Sequence, residues 1–385
     1  MDAVEAVYYA LAAVMALGAG AWALLVLNMT RSLMHTPPLG GGDDPPGPPP
    51  RVSVIIPARN EERFIGGCLE SLAAQDYPDY EVIVVDDSSE DSTGKIIAGF
   101  AERHEVIKHA RAGPKPDGWV GKAWPCSEGI KKSGGEVLLV TDADSVHTPD
   151  MLSASVRSLK SEDLDALTVA YTLRTFDFWT RITHPVLSAM RYREHHVANP
   201  NDPERNMGAF SGCFYMIRRP VYEAVGGHEA IRGDFREDVM MSTRIKEAGY
   251  RMMVFQGIHH VSATGGRNRR ETWRTMGRMV SGLRQANRNV LPIVSALALL
   301  LAAPFPALAA SLLIGGPGSW ALAAASGASA ALMFAGSAIM ARHKLNIGAR
   351  YAVFAPLGGM VVVMGHIAAM VNSQITWRDR SYRSR

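Results

Sequence analysis

The chain has 385 residues, 40 Lys+Arg against 37 Asp+Glu, a formal charge of +3 and 47% hydrophobic residues. Such an apolar content with only three Cys excludes disordered, collagen-like and disulfide-scaffold classes, and the charge near balance gives no reason to expect nucleic acid. The mean hydropathy of +0.01 is high for a water-soluble enzyme, and the apolar excess lies at the two ends.

The chain order begins with an apolar run. Val7 to Leu27 carries no charge, and roughly 20 such residues are enough to span a bilayer. Asp2 and Glu5 stand where a signal peptide would be basic, and no A-x-A cleavage site follows. The acidic start and the following Arg31 place the N-terminus outside and the next domain in the cytoplasm. Residues 1–30 are therefore expected as a transmembrane helix. Residues 31–50 are expected as a linker, since Pro37 to Pro50 with Gly40 to Gly42 reads as a polar, partly polyproline-II spacer.

The middle of the chain alternates strand-like and helix-like patterns. Val52 to Ile56 ends in Pro57, Glu81 to Val85 ends in Asp86-Asp87, and Glu136 to Thr141 ends in Asp142-Ala143-Asp144. Continuous Val/Ile/Leu runs indicate strands buried on both faces, hence a parallel α/β sheet. Phe64, Ile65, Cys68, Leu69 and Leu72 recur at helical spacing, and Ser92 is a candidate cap for a helix reaching about Arg103. Cys68, Cys126 and Cys213 are odd in number and far apart, and form no C-x-x-C, so they read as reduced thiols, with Cys68 in packing.

Ligands of open α/β sheets bind at the carboxyl ends of strands, and here three successive strands end in polar clusters. Arg59-Asn60-Glu61, Asp86-Asp87 and Asp142-Ala143-Asp144 would meet on one edge. Four carboxylates from the last two clusters are costly together unless a cation or hydrogen-bond donors accompany them. A divalent ion gripping a diphosphate satisfies that demand.

These residues, with Val52-Ser53-Val54-Ile55-Ile56-Pro57-Ala58 before them and Arg236-Glu237-Asp238 after, resemble family 2 glycosyltransferases. Gly118-Trp119-Val120-Gly121-Lys122-Ala123-Trp124, the C-terminal apolar runs and Trp377-Arg378-Asp379-Arg380-Ser381-Tyr382 resemble its membrane-bound branch, which includes hopene-associated and diaponeurosporenoate glycosyltransferases. The resemblance implies an α/β fold of GT-A type, a Rossmann-like mixed sheet over residues 51–265, with flanking transmembrane helices. It implies a nucleotide-sugar donor contacted by Pro57, Arg59, Glu61, Asp86, Asp87, Lys122 and Asp142. It implies Mg²⁺ or Mn²⁺ at Asp142 and Asp144, catalysis by Asp238 as general base beside Glu237, and an acceptor side at Ser211, Gly212 and Cys213.

Each of these also has a plainer reading. Asp86-Asp87 could cap a βα loop, Asp142 and Asp144 could decorate a turn, and Glu237-Asp238 could favour the positive end of a helix running from Val239 to Ala248 and closed by Gly249. An EF-hand fails because His147 stands where Gly is needed, and a Walker loop fails at Pro116 and Ala123. Gly208 to Cys213 fits a buried strand equally well. His259 or His260, after a strand at Arg251 to Phe255, is either a third metal ligand or structural.

Residues 266–290 carry Arg267, Arg269, Arg270, Arg274, Arg278, Arg284 and Arg288 with apolar residues at helical spacing, which reads as an interfacial helix on anionic lipid. Residues 176–190, with Trp179 and Pro185, are a second interfacial candidate, or core. Residues 291–375 hold three apolar stretches, Leu291 to Ile314 (broken by Pro304 and Pro306), Trp320 to Met340 and Tyr351 to Val371, and 376–385 form a basic tail. The expected whole is a multi-pass cell-membrane enzyme with a cytoplasmic catalytic domain, moving a sugar, expected from a UDP-sugar, to a lipid acceptor with inversion. Asn289 in place of the Trp of a Q-x-x-R-W motif argues against the alternative of a polysaccharide synthase. No inverted repeat or intramembrane carboxylate supports a transporter or scaffold.

Overall fold

The structure is a computed structural model that describes residues 3–42, 47–191, 201, 208, 210–265, 271–273, 276, 280, 289–371, 374–377 and 380–383. The chain forms two compact units. One comprises Met1–Met34, Leu173–His196 and Gly265–Arg385; the other comprises His35–Thr172 and Val197–Thr264.

In chain order the helices are α1 (Ala3–His35), α2 (Ile65–Ala73), α3 (Thr93–Arg103), α4 (Ala123–Lys131), α5 (Met151–Ser161), α6 (Phe178–Arg191), α7 (Arg219–Ala224) and α8 (Glu237–Glu247). The strands are β1 (Val52–Ala58), β2 (Tyr80–Asp86), β3 (Ile107–Arg111), β4 (Val137–Thr141), β5 (Val146–His147), β6 (Ala166–Ala170), β7 (Thr172–Arg174), β8 (Phe214–Arg218), β9 (Met252–Gln256) and β10 (Val261–Thr264).

Seven strands form one sheet in the order β3-β2-β1-β4-β8-β6-β9. Its strands alternate between two apolar layers. Val52, Val54, Ile56, Val82, Val84 and Leu139 join the layer of α2, α3 and α5, while Ile55, Ile83, Val85, Leu138 and Val140 join the layer of α4, α7 and α8. Burial on both faces explains the unbroken Val/Ile/Leu runs. Pro57 lies in β1 opposite Val85 of β2, beyond Ile55, the last β1 residue paired with β4, so its missing N–H costs no bond on the β4 side.

The sheet is mixed, as the resemblance implies: β1, β2 and β4 run parallel, and β8 runs antiparallel to both β4 and β6. This reversal sets Phe214 opposite Thr141, so the segment entering β8 lies at the carboxyl end of β4. The expected Ser92 cap is corrected: its side chain makes no cap bond, and the Thr93 N–H donates instead to Asp91 Oδ1 at 2.9 Å. The start of the expected linker is not a free spacer. The Gln256 N–H donates to Pro37 O, the Leu39 N–H donates to Gln256 O, and Leu39 is buried, so residues 37–39 cover the β9 edge.

In the other unit, Val4–His35, Gly318–His343 and Ala349–Met370 are long and apolar enough to cross a membrane. Helices Leu291–Leu301 and Pro304–Leu313 meet at 46°, making a fourth span if the bent pair is one. Pro304 and Pro306 account for that bend. Small residues bring helices close: a Cβ on Gly336 would lie 3.0 Å from the Trp22 ring and 3.1 Å from Met29 Cε. Val186 and Leu187 of α6 pack in the same apolar cluster as Trp22, Met29 and Val362. Segment 173–196, inside the span expected for the catalytic domain, thus groups with these helices. Most of the expected basic helix at 266–290 lies outside the described residues, as do Arg378, Asp379, Ser384 and Arg385 of the tail.

Candidate active site

The parallel strands β1, β2 and β4 deliver their carboxyl ends to one edge, with Ala58 opposite Asp86. The loops after β1 and β2 are stapled together. The Arg59 guanidinium, 7% exposed, donates to Asp87 O at 2.8 Å and Ser88 O at 2.6 Å, and pairs with Glu90 at 2.9 Å. The Glu61 N–H donates to Thr93 Oγ1 at 2.7 Å, and the Glu90 N–H donates to Asn60 Oδ1 at 2.9 Å. Asn60 and Ser88 both adopt positive φ, at 52° and 57°. Such backbone is uncommon for non-glycine residues and persists where the surroundings hold it.

Asp86 and Asp87 are both buried, and each has a partner. Asp86 Oδ1 accepts the Ser89 N–H at 2.9 Å, and its Oδ2 lies over Gly94 in the first turn of α3, where a Cβ would come within 2.9 Å. Asp87 Oδ2 lies 3.5 Å from Lys115 Nζ, which also donates to Gly121 O at 2.7 Å. Lys115 thereby ties the Gly118 to Lys122 loop to the end of β2. Sequence reading missed Lys115, because Gly113-Pro114-Lys115-Pro116 carries no motif and its acidic partner is remote along the chain.

The second cluster centres on Lys122, just before α4. Its Nζ donates to Asp142 Oδ1 at 2.6 Å and to Gly212 O at 2.6 Å, and lies 3.3 Å from Glu237 Oε1. Asp238 completes the group: its Oδ1 accepts the Val239 N–H at 2.8 Å, and its Oδ2 would lie 2.8 Å from a Cβ placed on Gly212. A side chain at 212 would press on both this carboxylate and the ammonium, 3.3 Å away. Asp142, Lys122, Gly212, Glu237 and Asp238 thus come from four separate stretches of chain.

Ser211 and Cys213 lie beside this cluster. The Ser211 N–H donates to Thr168 Oγ1 at 2.9 Å, Cys213 O accepts from Thr141 Oγ1 at 2.8 Å, and Ser211 Oγ lies 3.3 Å from Cys213 Sγ. These bonds fix the turn that presents Gly212. Burial pushes the Cys126 thiol well up, so this cysteine stays neutral and packs.

Electrostatics follow from crowding. Burial pushes Glu237 and Asp238 above the usual carboxylate range, neighbouring Asp142 adds to this, and Lys122 opposes it. Burial alone would lower Lys122, but Asp142, Glu237 and Asp238 outweigh it and hold the ammonium well above its ordinary value. Crowding and burial thus favour the neutral forms of Glu237 and Asp238, while Lys122 keeps its charge among them.

The metal implied by the sequence can be tested against the donor set. Asp142 and Asp144 are half-exposed, while Ala143 and Ser145 are buried. Two accessible carboxylates supply hard oxygen ligands and leave positions for phosphate and water, which fits Mg²⁺ or Mn²⁺. Among the described residues no group of three or more His, Cys, Asp or Glu is arranged to hold a metal. His260 Nε2 lies 3.5 Å from Asp150 Oδ2.

Residues 53–226 match the family model Glycosyl transferase family 2. The chain is 28% identical over 256 residues to the Probable glycosyltransferase YdaM of Bacillus subtilis, covering 63% of this chain and 56% of that protein. It is 31% identical over 214 residues to the Beta-monoglucosyldiacylglycerol synthase of Synechocystis, covering 54% and 43%. The chain therefore spans about half the length of these curated relatives. A solved mannosyltransferase from Pyrobaculum calidifontis, in complex with GDP-Man and Mn²⁺, superposes with a TM-score of 0.56 at 22% identity, covering 94% of this chain and 99% of that one. That likeness concerns the fold. The chain carries a domain of glycosyltransferase family 2, built on the GT-A fold.

Proposed function

We propose that this protein transfers a sugar from a nucleotide-sugar, in the first instance a UDP-sugar, to the hydroxyl of a lipid acceptor, with inversion at the anomeric carbon. The observation that carries the reading is the gathering of Asp142, Glu237 and Asp238 around Lys122 at the carboxyl edge of the sheet. The relative named for monoglucosyldiacylglycerol synthesis supports a lipid acceptor. Helices able to span a bilayer support it further, because a lipid substrate stays in the membrane.

In this reading Asp238 takes the proton of the acceptor hydroxyl as its oxygen bonds to the anomeric carbon and the bond to the diphosphate oxygen breaks. Its elevated pKa makes it a stronger base than an ordinary carboxylate. The Val239 N–H fixes Oδ1, leaving Oδ2 toward Gly212. Glu237 shares the ammonium of Lys122 and holds the first turn of α8. Asp86 and Asp87, set by the stapled loops, face the nucleoside side. Asp142 and Asp144 would hold Mg²⁺ or Mn²⁺, and the Mn²⁺ bound in the mannosyltransferase supports this. Such an ion neutralises the charge that develops on the departing diphosphate.

The test is a panel of UDP- and GDP-sugars incubated with membranes containing the protein, Mn²⁺ and a lipid extract, read by mass spectrometry. The expected result is one added hexose mass on an extractable lipid. Product only in a non-extractable polymer, or no product with any donor, refutes the assignment.

A further inference from the structure

Lys122 Nζ has oxygen on three sides, from Asp142, Gly212 and Glu237, and its side chain is 13% exposed. It occupies Oδ1 of Asp142, whose side chain is 36% exposed. Asp142 is also one of the two residues assigned above to the divalent ion, so this inference rests on that assignment. A bare ion approaching Asp142 meets a tethered positive charge and brings no anion to replace the Asp142 oxygen, so the ammonium would keep Gly212 O and Glu237 but lose its 2.6 Å carboxylate contact. An ion arriving with a diphosphate brings anionic oxygens that can receive the ammonium as Asp142 turns to the metal.

We propose that Lys122 is an internal counter-cation that closes Asp142 to a bare divalent ion and opens it to an ion–diphosphate complex. Lys122 is then a positioning residue that couples metal binding to nucleotide binding. Coupling is reciprocal, so the nucleotide tightens the metal by the factor by which the metal tightens the nucleotide. The three carboxylates also explain why lysine is tolerated at a helix start, where a cation is disfavoured by the dipole.

The test uses the full chain in detergent and measures protein-bound Mn²⁺ by equilibrium dialysis, alone and with UDP or GDP. Wild type should bind Mn²⁺ weakly alone and at least about tenfold tighter with the diphosphate. Lys122→Gln should bind bare Mn²⁺ at least about tenfold tighter than wild type and lose most of the nucleotide effect, since a unit charge at contact distance is removed. Lys122→Arg, which keeps the charge, should retain the wild-type coupling, and it serves as the folded control. Asp142→Asn should abolish the gain in the Lys122→Gln background. Unchanged bare-ion affinity or undiminished coupling in Lys122→Gln overturns the inference while leaving the metal assignment intact. A wild type that takes up no Mn²⁺ even with either diphosphate overturns both.

Discussion

At Gly212 an added methyl group would come within 2.8 Å of Asp238 Oδ2 and 3.3 Å of Lys122 Nζ. Gly212→Ala is expected to displace the carboxylate from its place by the strain that an overpacked contact generates, about 1–3 kcal/mol. The expected outcome is a fall in kcat of about tenfold or more, with a smaller rise in donor KM, because the methyl presses first on Asp238 and less on Lys122. Steady-state kinetics with a donor identified by the panel check this.

Two buried residues not assigned to the site carry pH-dependent stability. Glu81 is 3% exposed; burial pushes its carboxyl up, but the Gly134 amide, Lys108 and Ser53 overcome this and hold it at about 2, against an ordinary 4.5. Because the folded value lies below the unfolded one, this contribution is fully present above about pH 4.5 and is lost as the pH falls through 2. Glu81→Gln should cost about 1–3 kcal/mol at neutral pH and flatten the acid limb of the stability curve, as followed by thermal unfolding. His228 is fully buried between the hydroxyls of Tyr215 and Tyr222, and burial pulls its value down to about 3. The unfolded chain protonates first, so stability is full above about pH 6.5 and declines as the pH falls toward 3. His228→Phe should remove that dependence between pH 6 and 4.

At the scale of elements, the edge of β9 is closed by residues 37–39 and not left for another strand. Leu39 is 5% exposed in the core cluster of α5 and β9, so Leu39→Ala should lower stability by about 2–5 kcal/mol through the cavity it leaves. Earlier proteolysis near residue 40 would report the same loss. The strands and the acidic strand ends were legible because β-branched runs buried on both faces leave a continuous signature, as in Val52 to Ile56. The helix of Glu237 and Asp238 was legible from its acidic start and Gly249. The antiparallel direction of β8 was not, since Phe214 to Arg218 reads alike in either direction, and only pairing with Thr141 and Thr168 fixes it. The partners of Arg59, and Lys115 altogether, were missed for a related reason: a long cation chooses its partner in three dimensions, and both reach loop carbonyls or carboxylates some 30 positions away.

For the whole molecule, the two ends supply helices able to cross a bilayer, while the middle supplies the family 2 domain. Carbonate at high pH should therefore leave the protein in the membrane fraction, and its release into the supernatant would contradict the spanning reading. The interpretation as a whole stands on Asp238. The most direct measurement compares Asp238→Asn with wild type for sugar transfer and for nucleotide-sugar binding in the same preparation. A loss of transfer of about 10²–10⁴-fold with donor affinity retained is the predicted result for a missing general base. Transfer at the wild-type rate in Asp238→Asn would contradict it.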